Sequence, residues 1–281
     1  MKIFPFEIPK PDDSQLMVQV DRELLFFDKL HQHKEIQISI LVKGSGKLII
    51  GDSIHQYKER DLFIIGSQIP HLFQSDLSDS YSHMISLFFT SDGFGQDFFQ
   101  IPDLAQVAPF FRMKQKSFKV KSTAKTAMNL MLQIPHEDKL NRFLMFLKLL
   151  QYISESKAET LTGFVNPKAL SSNEGKRLQD VFNYVMKNFD KNIKLETVAG
   201  IAFMTPNAFC RFFKQRTNKS FFQFLIELRI EHACQILISN KDSSILEASE
   251  KSGFKSISNF NRKFKSLKST TPSKYISTYR N

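Results

Sequence analysis

Residues 195–217 read LETVAGIAFMTPNAFCRFFKQRT, and residues 244–268 read SILEASEKSGFKSISNFNRKFKSLK. Each stretch predicts a short helix, a break, and a second helix that ends in a basic-aromatic run. The run is Phe209-Cys210-Arg211-Phe212-Phe213-Lys214 in one and Phe260-Asn261-Arg262-Lys263-Phe264-Lys265 in the other. Ala199 and Ser249 are small residues placed where the first helix of a helix-turn-helix must let the second cross it. Thr205-Pro206 is a capping residue followed by proline at the first helical position, a specific start signal. Helical phase turns Phe209, Phe212 and Phe213, and likewise Phe260 and Phe264, toward a core. It leaves Asn207, Cys210, Arg211 and Lys214 outward, as a helix lying in a major groove requires.

Between the two units, Phe221 to Ser239 carries Phe221, Phe224, Leu225, Leu228, Ala233, Ile236 and Leu237 at helical spacing. One helix of 19 residues there spans about 28 Å at ~1.5 Å per residue. That is close to the ~34 Å between successive major-groove faces on one side of B-DNA. Before the first unit, Leu178, Val181, Phe182, Val185 and Phe189 predict another amphipathic helix. Charge follows the same division. Of the net +11, residues 1–174 contribute nothing, with 20 basic and 20 acidic side chains, whereas residues 175–281 carry 19 basic against 8 acidic. A neutral region joined to a basic one points to a polyanionic partner for the second, and the partner expected is double-stranded DNA.

The first part of the chain has a different periodicity. Ile36–Val42, Lys47–Ile50, Asp61–Ile65 and His83–Phe89 are short runs rich in β-branched and aromatic residues, with Gly44-Ser45-Gly46 and Gly51-Asp52 between them. They predict a small barrel or sandwich. From about Thr123 the pattern turns helical, and Leu140, Phe143, Leu144, Leu147 and Leu150 make one apolar stripe that either packs on the barrel or pairs with a second copy. Ser154 to Glu174 reads as a linker. The expected division is an effector-binding domain at 1–122, a helical dimerisation region and linker at 123–174, and a DNA-binding domain at 175–281. The fold class expected is α+β multidomain, with an N-terminal cupin-like β-barrel and an all-α C-terminal domain.

Residues 176–280 resemble the DNA-binding domains of the AraC/XylS transcriptional regulators. The resemblance rests on both units, the joining helix with LRIEHACQIL, the Gly253-Phe254 turn and the closing Thr271-Pro272-Ser273-Lys274-Tyr275. It implies base contacts from Asn207, Cys210 and Arg211 in the first unit and from Ile257, Ser258, Asn261 and Arg262 in the second. Four positions depart from the pattern. Phe203 and Ser252 replace a frequent glycine and a usual apolar residue, and Asn218 and Ser269 stand where glycine normally ends each recognition helix. Ser269 is expected to loosen its last turn. In the N-terminal part, His31-Gln32-His33 with Gln37 and Gly44, followed by Ile69-Pro70-His71, resembles the cupin motif of sugar-sensing domains over residues 20–90. Metal-binding cupins use the histidines and a glutamate, and the neutral amide of Gln37 is a poor substitute for that carboxylate. His31, His33, Gln37 and His71 are therefore expected to bind a polar small molecule, such as a sugar, with no metal, no cofactor and no catalytic residue. The competing class is a cupin-type isomerase or dioxygenase with a basic appendage, and a nucleoid-type DNA binder is a third.

Other classes are disfavoured by composition. The longest strongly apolar stretch, Phe143 to Leu150, contains Lys148 and is far short of the ~20 residues of a membrane-spanning helix, so no membrane partner is expected. MKIFPFEIPKPDD carries three prolines and two aspartates where an apolar signal core would sit. Cys210 and Cys234 belong to no metal-binding spacing. A cytoplasmic regulator follows, acting as a homodimer, with RNA polymerase as a further partner; occupancy of the barrel would change how two protomers present their DNA domains.

Overall fold

The computed structural model describes residues 14–26, 30–76, 81–112, 116–121, 125–162, 172–239 and 242–279. The chain divides into two compact units, residues 1–171 and 172–281.

The first unit begins with β1 (Met17–Glu23), β2 (Ile36–Lys43), β3 (Gly46–Ile50), β4 (Ser53–Tyr57), β5 (Leu62–Ile65), β6 (His71–Ser75) and β7 (Ser82–Phe89). It continues through α1 (Ala108–Arg112), β8 (Ser117–Val120), α2 (Lys125–Gln133), α3 (Lys139–Glu155) and β9 (Ala158–Thr162). The strands form a six-stranded sheet in the order β1-β7-β2-β5-β8-β9 and a three-stranded sheet in the order β4-β3-β6. Every pair is antiparallel. The expected closed barrel is corrected to two facing sheets. Among the described residues no ladder joins the edges of one sheet to the other, and the bridge between His31 and His71 stands alone. The small sheet has only five-residue strands, too short to extend into a ring around the larger one.

Alternation along β2 and β7 explains the layering. Ile36, Ile38 and Ile40 of β2, with Ile85, Leu87 and Phe89 of β7, pack on Met131 of α2 and on Phe146, Leu149, Leu150 and Ile153 of α3. The other parity faces the small sheet, where Leu41, Phe63, Ile65 and Met84 meet Leu48, Ile50, Tyr57 and Phe73. Burial on both faces makes β5, LFII, a continuous apolar run, whereas β2 and β7 carry Gln37, Ser39 and Ser86 on the parity that faces the small sheet; each buried apolar side chain contributes about 1.5–3 kcal/mol. The stripe on α3 divides. Phe146, Leu149, Leu150 and Ile153 are fully buried, Phe143 and Leu147 are half-buried, and Leu140 and Leu144 are exposed. The linker is shorter than expected. Ser154 and Glu155 end α3, Ala158–Thr162 pairs with β8 and buries Leu161, and residues 163–171 lie outside the described residues.

The second unit is helical: α4 (Ser172–Asn188), α5 (Leu195–Ile201), α6 (Pro206–Thr217), α7 (Phe221–Ser239), α8 (Ile245–Lys251), α9 (Ile257–Lys268) and α10 (Pro272–Tyr279). α7 serves two cores. Phe221 and Phe224, near its start, touch Phe209, Phe213 and Phe182. Ile230, Ala233, Cys234 and Leu237, toward its end, pack with Ala248, Phe254, Phe260 and Phe264.

Candidate DNA-binding surface and ligand cavity

Both recognition helices start on capping hydroxyls. Thr205 Oγ1 accepts from the Ala208 N–H at 3.4 Å ahead of Pro206, and Ser256 Oγ accepts from the Asn259 N–H at 3.4 Å. Phe209, Phe212 and Phe213 are buried, as are Phe260 and Phe264, while Asn207, Cys210, Arg211 and Lys214 on α6 and Ser258, Asn261 and Arg262 on α9 are exposed. Ile257 differs from the other seven: it is half-buried and packs against the core. Asn259 belongs to the surface although the residue pattern did not single it out. Its Oδ1 accepts from Arg262 Nη2 at 3.0 Å and orients that guanidinium. The signal for it is its i, i+3 spacing from Arg262.

The four departures have local explanations. Phe203 (φ 53°) and Gly253 (φ 80°) hold the left-handed position after α5 and α8, and Phe203 is 81% exposed. Asn218 (φ 54°) and Ser269 (φ 55°) both close their helices in left-handed geometry, so the end of α9 matches that of α6. Ser252 is buried because its hydroxyl lies 3.1 Å from His232 Nδ1 of α7. Cys210 is exposed, whereas burial pushes the Cys234 thiol up to about 12.

In the first unit, His31, His33 and His71 converge, with their ligating nitrogens within 4.8 Å of one another. His33 Nε2 and His71 Nε2 lie 3.1 and 3.0 Å from the Oε1 end of the Gln37 amide. Each ring turns Nδ1 to a backbone carbonyl, Glu35 at 3.0 Å for His33 and Ile69 at 2.9 Å for His71, which fixes the Nδ1–H tautomer. Burial, reinforced by His31 and His33, holds His71 well below the ordinary imidazole value. An oxygen facing both Nε2 atoms would need two adjacent imidazolium ions. Rotating the amide by 180° instead gives each Nε2 an N–H, with the amide oxygen accepting from Ser39 Oγ. The chain continues from Gln37 to Ser39 at 2.8 Å and from Ser39 to Ser86 at 2.7 Å. Of the four expected ligand-binding residues, His31 and Gln37 reach the wall of a half-enclosed cavity of about 60 Å³, and His33 and His71 are not among its lining residues.

A facing pair of sheets with an internal cavity, followed by two helix-turn-helix units on one scaffold, defines a ligand-binding domain joined to a DNA-binding domain. Residues 21–89 match the family of AraC-like ligand binding domains, and residues 198–278 match a helix-turn-helix domain family. It is 28% identical over 99 residues to the uncharacterised HTH-type transcriptional regulator YdeC of Bacillus subtilis (strain 168), 35% of this chain and 34% of that protein. It is 26% identical over 127 residues to the probable transcriptional regulator LumQ of Photobacterium leiognathi, 44% of this chain and 51% of that protein. The chain thus spans about a third to a half of these two curated relatives. Among solved structures it is similar to the DNA-binding domain of the global transcriptional factor AdpA in complex with a target DNA. That match is 27% identical with a TM-score of 0.36, over 37% of this chain and 94% of that one.

Proposed function

We propose that the chain is a cytoplasmic transcriptional regulator that binds a specific DNA site through α6 and α9 and is controlled by a small polar molecule in the cavity of its first unit. The observation that carries this reading is the pairing of two capped helices, each presenting polar and basic side chains, on the unit that holds nearly all of the positive excess. Arg211 and Arg262 are the residues suited to bidentate guanine contact, and Lys214 to phosphate. Pairing through the exposed side of α3 would supply two such domains to one operator, and RNA polymerase is the partner through which a bound regulator would act. We assign no catalytic step to the histidine cluster, because two of its rings are already bound on both nitrogens within the protein.

Selection of genomic fragments on the purified full chain tests this reading. A single enriched sequence is expected, with affinity falling ~10³ to 10⁵ between 50 and 200 mM salt if about 6–10 phosphates are contacted. Retention of all fragments alike would point instead to a nucleoid-type binder.

A further inference from the structure

The cavity between the two sheets has an uneven distribution of charge that its one lining histidine, His31, does not explain. β1 pairs with β7 so that Gln19 opposes Ser86, Asp21 opposes Met84 and Glu23 opposes Ser82. Alternation sends Gln19, Asp21 and Glu23 to one face of the sheet, and all three line the cavity. Arg22, one residue out of phase, is exposed and lines no part of it. Two carboxylates about 7 Å apart along the strand thus share one wall, and no lysine or arginine stands among the described lining residues. The apolar part of the lining comes from Phe26, Phe73 of β6 and Phe88 of β7, the last on the strand next to β1 in the same sheet. The remaining polar neighbours are engaged with each other: Ser86 bonds Ser39, Ser39 bonds Gln37, and Gln37 holds two imidazoles.

We propose that this cavity receives a compact organic cation, a primary ammonium or guanidinium on a short apolar stem, with Asp21 and Glu23 binding the charge and the phenyl rings enclosing the stem. This rests on the reading of the first unit as the effector-binding domain and names the chemical class of its ligand. An anion would be repelled by both carboxylates, and a neutral polyol would gain nothing from their charge. Phenyl faces attract a cation as well as an alkyl chain. A volume of about 60 Å³ holds about four to six water-sized groups, which sets the scale of the ligand. Burial, and then the neighbouring Glu23, already raise the Asp21 carboxyl above its ordinary range, although Gln19 Nε2 donates to it at 2.8 Å. A bound cation relieves that cost, so binding should weaken on acidification at a higher pH than for an ordinary aspartate.

Calorimetric titration of the full chain at pH 7.5 with n-butylammonium chloride and with 1-butanol, to millimolar concentrations, is the direct test. One butylammonium per chain is expected, with the isosteric alcohol at least tenfold weaker, and Asp21→Asn should cost the amine at least tenfold. Glu23→Gln, at an exposed position, should lower amine affinity several-fold without disturbing the fold and serves if Asp21→Asn does not fold. Equal binding of amine and alcohol, unchanged affinity in the folded variants, or binding of L-arabinose with none of the amine would overturn the proposal. Site-specific DNA binding, measured on the same preparation, separates the two readings. A chain that binds its operator but no amine refutes the cation and keeps the regulator, and one that binds the amine without any specific DNA does the reverse.

Discussion

Phe203 and Gly253 occupy the same left-handed backbone position in the two helix-turn-helix units, each closing the first helix of its unit. The bonds match: Phe203 N–H donates to Gly200 O at 3.0 Å and Met204 N–H to Ala199 O at 2.9 Å, while Gly253 N–H donates to Glu250 O at 2.9 Å and Phe254 N–H to Ser249 O at 3.1 Å. Surroundings decide which residue each unit tolerates. A Cβ at Gly253 would lie 2.6 Å from the Asp190 carbonyl oxygen, whereas the side chain of Phe203 stands in solvent. Phe203→Gly should stabilise the second unit by roughly 1 kcal/mol through relief of left-handed strain, a rise in melting temperature of about 4–8 °C. Gly253→Ala should destabilise it by at least about 1 kcal/mol. A thermal melt of the two variants in the full chain checks both signs.

Arg211→Ala and Arg262→Ala should each relax base preference in a separate half of one site, at a cost of about 1–3 kcal/mol if the contact is bidentate to guanine. Asn259→Ala should reproduce part of the Arg262 effect, since its carbonyl orients that guanidinium. Lys214→Ala should weaken all sequences alike. Binding measured against a library of single-base variants of the selected site distinguishes these patterns, and uniform losses from both arginines would place them on phosphates.

His71 links the stability of the first unit to pH. Its folded-state value lies well below 6.5, so the unfolded chain takes the proton first. Stability is therefore complete above about pH 6.5 and is lost as pH falls below it, by up to about 1.4 kcal/mol per pH unit. His71→Gln should lower stability at pH 7.5 yet flatten its decline toward pH 5, as read by thermal melts of the full chain across that range.

Gln37→Glu should create affinity for a divalent metal. The substitution sets a carboxylate among three imidazoles whose nitrogens already lie within 4.8 Å of one another, a donor set suited to Zn²⁺ or Ni²⁺. Metal retained after dialysis against Ni²⁺, measured by elemental analysis, should rise to about one per chain in the variant and stay well below that in the wild type.

The outer side of α3 offers a further test. Leu140 and Leu144 are 67% and 47% exposed, whereas Phe146 and Leu149 are fully buried. Leu140→Glu with Leu144→Glu should give folded monomers by light scattering, while Phe146→Ala should cost about 3–5 kcal/mol of stability without favouring either association state. A doubly substituted chain that remains dimeric would move the contact elsewhere.

The helical unit was legible from its residues because caps and apolar period agree there. Thr205-Pro206 announces α6, and α7 runs over the same Phe221–Ser239 that its spacing outlines. Order was harder to read where polar residues sit inside. β1 reads MVQVDRE, a sequence that looks like surface, although its alternate residues Gln19, Asp21 and Glu23 line the cavity. β9 lay in a stretch whose Ser, Thr and Gly content argues for a linker, and one buried side chain, Leu161, holds it in the sheet. On α3, leucines surround the helix on every side, so spacing alone selected a stripe whose edge, rather than centre, meets the core. The histidines were found by motif, but their mutual engagement through Gln37 depends on strand register and ring tautomers, which no spacing records.

α7 belongs to both halves of the DNA-binding unit, and this constrains how such a chain can change. A single residue inserted into it would turn everything beyond by about 100° and pull Phe260 and Phe264 away from Ile230, Ala233 and Leu237. If α6 and α9 each read part of one site, as proposed, mutation can rewrite the letters each reads, one exposed side chain at a time, but not the number of base pairs between them. The helix acts as a fixed ruler, and drift in the sites the protein binds is confined to what fits within its length.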